Sequence, residues 1–217
     1  MLDENFYRIG DSMTTRVPDK MPNAENSSAF NIMTPSETHV GATLENLKAA
    51  VMGETGASAK YLAYAKAAQE QGREDLARLF RATSAAEQIH IGLEARLVEK
   101  ADPSYVRPSA EPVSTYTNDV NLIKAALGEI YETSDMYPAF IKKAQEENDV
   151  AAVQVFTRAK LAESVHAQRY LEAYNAIDLP DDGAKYYLCP LCGYIHRGED
   201  FQKCPICFCP AAKFSAF

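Results

Sequence analysis

The sequence predicts a mainly α-helical protein, a four-helix bundle that is followed by a small cysteine-rich module. Four long stretches of the 217-residue chain place apolar residues at helical spacing. All five cysteines fall after position 188, and four of them form two Cys-x-x-Cys pairs. A disulfide framework would be spread through the fold, so this clustering predicts a metal site instead.

The composition is that of a globular protein, with 47% hydrophobic and 24% charged residues. A formal net charge of −8 and the lack of a Lys/Arg-rich run argue against a nucleic-acid partner. No stretch reaches the roughly 18 apolar residues of a membrane span. The N-terminus has neither the basic region nor the apolar run of a secretory signal. We therefore expect a cytoplasmic protein with no nucleic-acid or membrane partner.

Three segments follow one another along the chain. Residues 1–41 are polar and aperiodic and contain three prolines, which predicts an extended N-terminal segment. Residues 42–178 hold the helical bundle. Residues 179–217 contain a short linker and the cysteines, and this last segment is too small to hold its fold without a metal.

The first two helical patterns cover residues 43–71 and 74–100. Glu54 falls on the apolar stripe of the first, and Glu87 and His90 fall on that of the second. Such positions normally carry core residues, so polar side chains there indicate a buried site.

The third and fourth patterns cover residues 118–147 and the stretch that begins at a predicted Asp149 cap. Glu129 lies on the apolar stripe of the third helix, and Glu163 and His166 lie on that of the fourth. Each Glu lies at about the same distance from the turn of its antiparallel hairpin, roughly 25 Å at 1.5 Å per residue. All four helices can therefore contribute side chains to one layer.

The connection over residues 101–117 contains three prolines and is too long for a simple turn. Extended, it can reach roughly 50 Å, which is the length of the bundle. One long crossover predicts the ferritin-like arrangement rather than an up-down-up-down bundle. Pro138 lies inside the third pattern and is expected to kink that helix or to widen it locally.

A repeated unit gives the site its chemistry. Glu54 is followed by Glu87-x-x-His90, and Glu129 is followed at nearly the same spacing by Glu163-x-x-His166. Two Glu-x-x-His pairs with a Glu from each of two further helices make the ligand set of a di-iron or di-manganese site. Oxygen-rich ligation with a few imidazoles suits iron or manganese better than structural zinc.

Glu132 lies outside the repeat, three residues after Glu129 on the same helix face, and is a candidate fifth carboxylate. Five buried glutamates cost far more than a domain's stability unless cations or protons neutralise them, and two divalent ions nearly do so. A surface position remains an alternative for Glu132. Tyr61 and Tyr137 are either core residues or hydrogen-bond donors to ligating carboxylates.

The four-cysteine pattern consists of two metal knuckles, Cys189-x-x-Cys192 and Cys204-x-x-Cys207. The ligands alone leave iron and zinc open, because zinc ribbons use similar pairs. Beside a di-metal site that must be re-reduced after each turnover, iron is the preferred interpretation. Cys209 is expected to be a bystander.

These residues resemble the rubrerythrin family, a ferritin-like di-iron bundle with a C-terminal rubredoxin-like domain. The resemblance covers residues 42 to 217. The motifs that carry it are Gly53–Thr55, Glu87–His90, Glu129–Glu132, Asp135–Pro138, Glu163–His166 and the two cysteine pairs.

The resemblance implies a role for each ligand. Glu87 and Glu163 would bridge two irons, with Glu54 on the first iron and Glu129 and His166 on the second. Glu132 and His90 would exchange as ligands of the first iron. Four thiolates would bind a single iron: Cys189, Cys192, Cys204 and Cys207.

The function that the resemblance implies is reduction of hydrogen peroxide at the di-iron site. The chain contains no Gly-x-Gly-x-x-Gly loop for a nicotinamide or flavin, so a separate reductase or rubredoxin is expected to supply electrons. Family members are typically homodimers in which one subunit's rubredoxin domain lies near the other's di-iron site. The alternatives are a ferroxidase or oxygen-reducing protein, a non-catalytic electron carrier, and a protein with structural zinc.

Overall fold

The computed structural model describes residues 38–217, so the predicted N-terminal segment over residues 1–41 lies almost entirely outside the described residues. The bundle contains five α-helices and one π-helical turn. They are α1 (Thr43–Glu70), α2 (Glu74–Ala101), α3 (Asn118–Tyr131), the π turn (Glu132–Met136), α4 (Tyr137–Glu146) and α5 (Val150–Asn175).

Two helical hairpins build the bundle. Helix α1 packs along α2, and α3 and α4 pack along α5. Gly72 closes the first hairpin with φ 73°, a conformation that glycine adopts without strain. In the second, the side chain of Asp149 accepts a hydrogen bond from the backbone N–H of Ala152 at 2.9 Å and caps α5. The long connection between α2 and α3 is the predicted crossover.

The third predicted helix is not continuous, because the π turn separates α3 from α4. The backbone N–H of Tyr137 bonds to the carbonyl of Glu132, five residues back. Pro138 follows at the start of α4 and lacks the N–H that a continuous α-helix would need. The local widening expected near Pro138 is therefore a single π turn.

Apolar clusters fill the bundle on both sides of a polar layer. One cluster centres on Phe80 and Tyr170 and the other on Phe140 and Phe156, all nearly inaccessible to solvent. The carboxylates between them are equally buried. The polar layer thus lies in a dry interior, where charge must be neutralised.

The C-terminal module is a three-stranded antiparallel sheet of order β2-β1-β3, made of β1 (Tyr186–Leu188), β2 (Ile195–Arg197) and β3 (Ser215–Ala216). Side chains of β1 and β2 join the apolar cluster of the bundle, so the module packs directly on α2 and α5. Within residues 38–217, no helix is both long and apolar enough to cross a membrane.

Candidate metal centres

Six of the predicted ligands converge in the middle of the bundle. They form two groups that share Glu87 and Glu163, and within each group the candidate ligand atoms lie within 4.8 Å of one another. The first group is completed by Glu54 and His90, and the second consists of Glu87, Glu129, Glu163 and His166. Two adjacent groups with two shared carboxylates form the framework of a bridged two-metal site.

Hydrogen bonds to backbone carbonyls orient the two histidine rings. Nδ1 of His90 and Nδ1 of His166 each lie 2.6 Å from a different oxygen of Glu163. On the far side of the rings, Nε2 of His90 lies 3.1 Å from the carbonyl of Cys192, and Nε2 of His166 lies 2.8 Å from that of Gly193. A carbonyl only accepts, so each Nε2 carries a proton, and each Nδ1 is the nitrogen that faces the carboxylates and would bind a metal.

Buried polar atoms that lack a well-aligned hydrogen bond mark where the cations fit. Among the described residues they include both carboxylate oxygens of Glu87 and of Glu163 and Nδ1 of each site histidine, whose close contacts are with one another. One oxygen each of Glu54 and Glu129 is left in the same state. Orphaned buried atoms are costly in a native protein, and their convergence fits two metal ions.

The electrostatics of the cluster agree with this reading. Burial, followed by repulsion from neighbouring carboxylates, holds the pKa of Glu54, Glu129 and Glu132 well above the usual range. Burial acts in the same direction on Glu163, but the two histidines beside it outweigh burial and lower its pKa. A cluster that resists ionisation is one that divalent cations stabilise strongly.

Tyr61 and Tyr137 are donors rather than simple core residues. Each is fully buried; Tyr61 donates to Oε1 of Glu129, and Tyr137 donates to Oε1 of Glu54. Each tyrosine therefore binds the terminal carboxylate of the opposite hairpin and leaves that residue's other oxygen for a metal.

Glu132 lies at the margin of the cluster. It is the first residue of the π turn, is 8% exposed, and belongs to neither group of converging ligands. Its Oε2 is buried without a hydrogen-bond partner. Of the two residues expected to exchange on the first metal, this structure has His90 inside the group and Glu132 outside it.

Glu94 is a buried carboxyl that the sequence analysis missed. It is inaccessible to solvent and is hydrogen-bonded to the hydroxyl of Tyr137 at 2.9 Å. Burial is the main cause that raises its pKa to about 8. Helical spacing places Glu94 on the same helix face as Glu87 and His90, so the sequence could have identified it as a buried carboxyl. The search for the repeated motif did not identify it, because the equivalent position after His166 is Tyr170.

The four predicted cysteines form a third group, in which the sulfur atoms lie within 4.8 Å of one another, and none forms a disulfide. Sγ of Cys189 lies 3.4 Å from Sγ of Cys207, and Sγ of Cys192 lies 3.5 Å from Sγ of Cys204. Cys209 stands outside the group; its carbonyl accepts the backbone N–H of Cys204 at 2.8 Å. The four sulfurs have the spatial grouping of a tetrahedral thiolate site.

The two centres meet at one dipeptide. The backbone carbonyls of Cys192 and Gly193 accept hydrogen bonds from His90 and His166, and both residues belong to the first cysteine knuckle. A Cβ on Gly193 would come within 2.4 Å of Nε2 of His90. The family resemblance implied that one subunit's module lies near the other subunit's di-iron site; within this chain, the module contacts the histidines of its own chain.

The fold and the two ligand groups define a class, the ferritin-like di-iron proteins that carry a rubredoxin-type iron. The family model described as Rubrerythrin matches residues 45–174, more than half of the chain. The chain belongs to the rubrerythrin family. Members of this family are di-iron oxidoreductases and bind a di-iron pair and a rubredoxin-like iron, so the expected fold and cofactors are confirmed.

Individual relatives agree with the family match. Nigerythrin of Nitratidesulfovibrio vulgaris is 63% identical over 202 residues, which cover 93% of this chain and 100% of that protein. Rubrerythrin-2 of Clostridium acetobutylicum is 31% identical over 81% of this chain and 96% of that protein. The solved structure of nigerythrin in its fully reduced, all-ferrous state has a TM-score of 0.84 at 64% identity, covering 93% of this chain and 99% of that one. The segments Thr43–Leu47 and Cys204–Phe208 carry the resemblance to nigerythrin in the sequence itself.

Proposed function

We propose that this protein reduces hydrogen peroxide to water, as part of protection against oxidative stress. The family consists of di-iron oxidative-stress proteins that generally act on peroxide and accept electrons from rubredoxin-type partners. The observation that carries the proposal is the direct contact of both site histidines with the four-cysteine knuckle. A plain iron-storage site has no use for such a contact.

The reaction breaks one O–O bond and consumes two electrons and two protons to release two waters. When bound, the two irons supply one electron each and a Lewis-acid clamp for both oxygens. We assign Glu87 and Glu163 as bridging ligands because both groups share them. Glu54 is assigned to the first metal, and Glu129 and His166 to the second.

The first metal has a choice of ligand in this proposal. Either His90 or Glu132 would hold it, and this structure has His90 inside the group of converging side chains and Glu132 outside it. Because Glu132 lies on a π turn, its backbone is wider than an α-helix and is not held by regular i→i−4 bonds. Such a turn gives the carboxylate room to move without breaking a helix.

Glu94 and Tyr137 offer a path for protons. In the metal-free protein burial raises the pKa of Glu94 to about 8, so this carboxyl holds a proton at neutral pH. Tyr137 lies between Glu94 and Glu54 and is hydrogen-bonded to both. A proton given up by Glu94 can thus reach the site through one hydroxyl, without opening the bundle to water.

Electrons return through the cysteine knuckle. We assign Cys189, Cys192, Cys204 and Cys207 to a single iron. Cys192 links that iron to His90 through its own backbone carbonyl. An external reductase or rubredoxin, linked to NADH, supplies the electrons, and the protein acts in the cytoplasm as a homodimer.

Anaerobic rapid mixing tests the proposal. The fully reduced protein is mixed with peroxide or with oxygen, and reoxidation of the iron centres is followed by absorbance. We expect peroxide to be much the faster oxidant. Equal rates with oxygen would reject the peroxidase and favour the oxygen-reducing or ferroxidase alternative. A colourless module that contains only zinc would end the electron-transfer argument.

A further inference from the structure

We propose that a cleft at the solvent edge of the four-cysteine site docks an electron-donor protein with an acidic surface around its own redox centre. This inference rests on the proposed function, since it concerns the entry of electrons. The cleft lies between the bundle and the module, holds about 340 Å³, and is lined in part by Arg96, Arg158, Leu191 and Cys207.

Cys207 marks this edge as the entry point. It is the only one of the four ligand cysteines that is not fully buried, and it lines the cleft. Cys192 is fully buried and faces the bundle through its bond with His90. A donor can therefore approach the iron from the side of Cys207, while Cys192 connects it to the di-iron site.

Large apolar side chains stand exposed beside this thiolate. Leu191 lies within the first knuckle and is 50% exposed, and Phe208 directly follows Cys207 and is 66% exposed. Phe208 also takes a left-handed backbone conformation with φ 60°, which is costly for an aromatic residue. Exposed apolar side chains around a redox centre form a dry contact for a partner.

The charge around the cleft selects the partner. Arg96 on α2 and Arg158 on α5 are both exposed, and within residues 38–217 neither forms an ion pair. Lys203 is also exposed and lies 5.2 Å from the ring centre of Phe208. In a chain of net charge −8, these cations, which form no ion pair within residues 38–217, favour an acidic partner and its fast capture.

The test is a double charge reversal, Arg96→Glu with Arg158→Glu. The matched control is Lys66→Glu with Lys142→Glu, which changes the net charge equally at exposed positions of α1 and α4, away from the module. A reduced rubredoxin of net negative charge is mixed anaerobically with the oxidised protein. Each transfer oxidises the donor by one electron and reduces the four-cysteine iron from ferric to ferrous, which bleaches its visible absorbance.

We expect the wild-type rate to fall as salt is added, because salt screens the attraction. The double reversal should slow transfer about tenfold or more at low ionic strength and remove its salt dependence, whereas the control stays within about twofold of wild type. An unchanged rate in the double reversal, or equal slowing in the control, would overturn the proposal.

Two further readouts separate other occupants. If wild type is a dimer in sedimentation and the double reversal dissociates it, the cleft is a contact between copies and the proposal fails. If NADH alone reduces wild type but not the variant, the cleft is a cofactor site and the proposal also fails. Single-turnover oxidation by peroxide depends on the di-iron site alone. If this oxidation is absent, the proposed function fails, and that result does not count against the docking cleft.

Discussion

Gly193 fits against His90 only because it has no side chain. A Cβ at this position would lie 2.4 Å from Nε2 of His90, well inside van der Waals contact. Gly193 also has φ 75°, so its conformation and its contact both require glycine. The close fit of the module on the bundle depends on this one position.

Gly193→Ala should therefore push the module away from the di-iron site. We expect electron transfer from the four-cysteine iron to slow by at least about tenfold, measured as reoxidation of that iron after a peroxide pulse. Gly183→Ala is the matched control, because Gly183 has φ 72° and a Cβ there meets nothing within 4 Å. Equal slowing in both variants would show that backbone strain, and not the contact, is the cause.

Cys204→Ser should separate the two half-reactions. Cys204 belongs to the four-sulfur group and not to the carboxylate cluster, so single-turnover oxidation by peroxide should persist while reductase-linked turnover falls to background. Cys209→Ser should preserve both, because Cys209 lies outside the group. Loss of both activities in Cys204→Ser would contradict separate roles for the two centres.

Tyr137→Phe should destabilise the metal-free protein more than Tyr61→Phe does. Tyr137 is hydrogen-bonded to both Glu54 and Glu94, whereas Tyr61 is hydrogen-bonded to Glu129 alone. An unsatisfied buried polar group costs about 1–3 kcal/mol, so we expect about that loss for Tyr61→Phe and roughly twice as much for Tyr137→Phe. Urea denaturation gives the free energies of unfolding, and equal losses would mean that Glu94 finds another hydrogen-bond partner.

Glu94 should make the stability of the metal-free protein depend on pH. Its pKa is about 8 when folded, against a usual 4.5. Between these values the folded chain holds a proton that the unfolded chain has released, so the free energy of unfolding falls as pH rises through this window. One proton corresponds to a slope of up to about 1.4 kcal/mol per pH unit.

Glu94→Gln removes this contribution and should reduce the slope of the pH profile between pH 5 and 8. The contributions of Glu54, Glu129 and Glu132 remain. Denaturation at several pH values measures the slope. The same variant should slow single-turnover oxidation by peroxide, because glutamine cannot supply the proton. A reduced slope with an unchanged peroxide rate would leave Glu94 a structural carboxyl and reject its place on the proton path.

Much of the fold was predictable because periodicity and turn residues are local signals. The predicted helix over 74–100 is observed as Glu74–Ala101, and the predicted Asp149 cap is confirmed. The repeated Glu-x-x-His motif identified side chains that converge in space, although the binding of iron by each one stays a prediction.

The missed features depend on contacts between distant parts of the chain. In the sequence Glu94 is one of many helical glutamates, and its hydrogen bond with Tyr137 on another helix is visible only in the structure. Nothing in the local pattern around Cys192 indicated that its carbonyl would meet His90. The third helix was predicted as continuous, and Pro138 gave only the approximate place of its interruption.

The π turn also explains why the spacing between glutamate and tyrosine differs between the two hairpins. Tyr61 follows Glu54 by seven residues, and Tyr137 follows Glu129 by eight. In a regular α-helix the extra residue would rotate Tyr137 by about 100° away from its carboxylate partner, and the wider turn absorbs that rotation. The two hairpins thus carry the same motif of Glu followed by Glu-x-x-His, and the second has a single extra residue near Glu132. Under the proposed ligand assignment, deleting one residue from the turn is a direct route to a metal site whose two positions no longer differ in their choice of ligand.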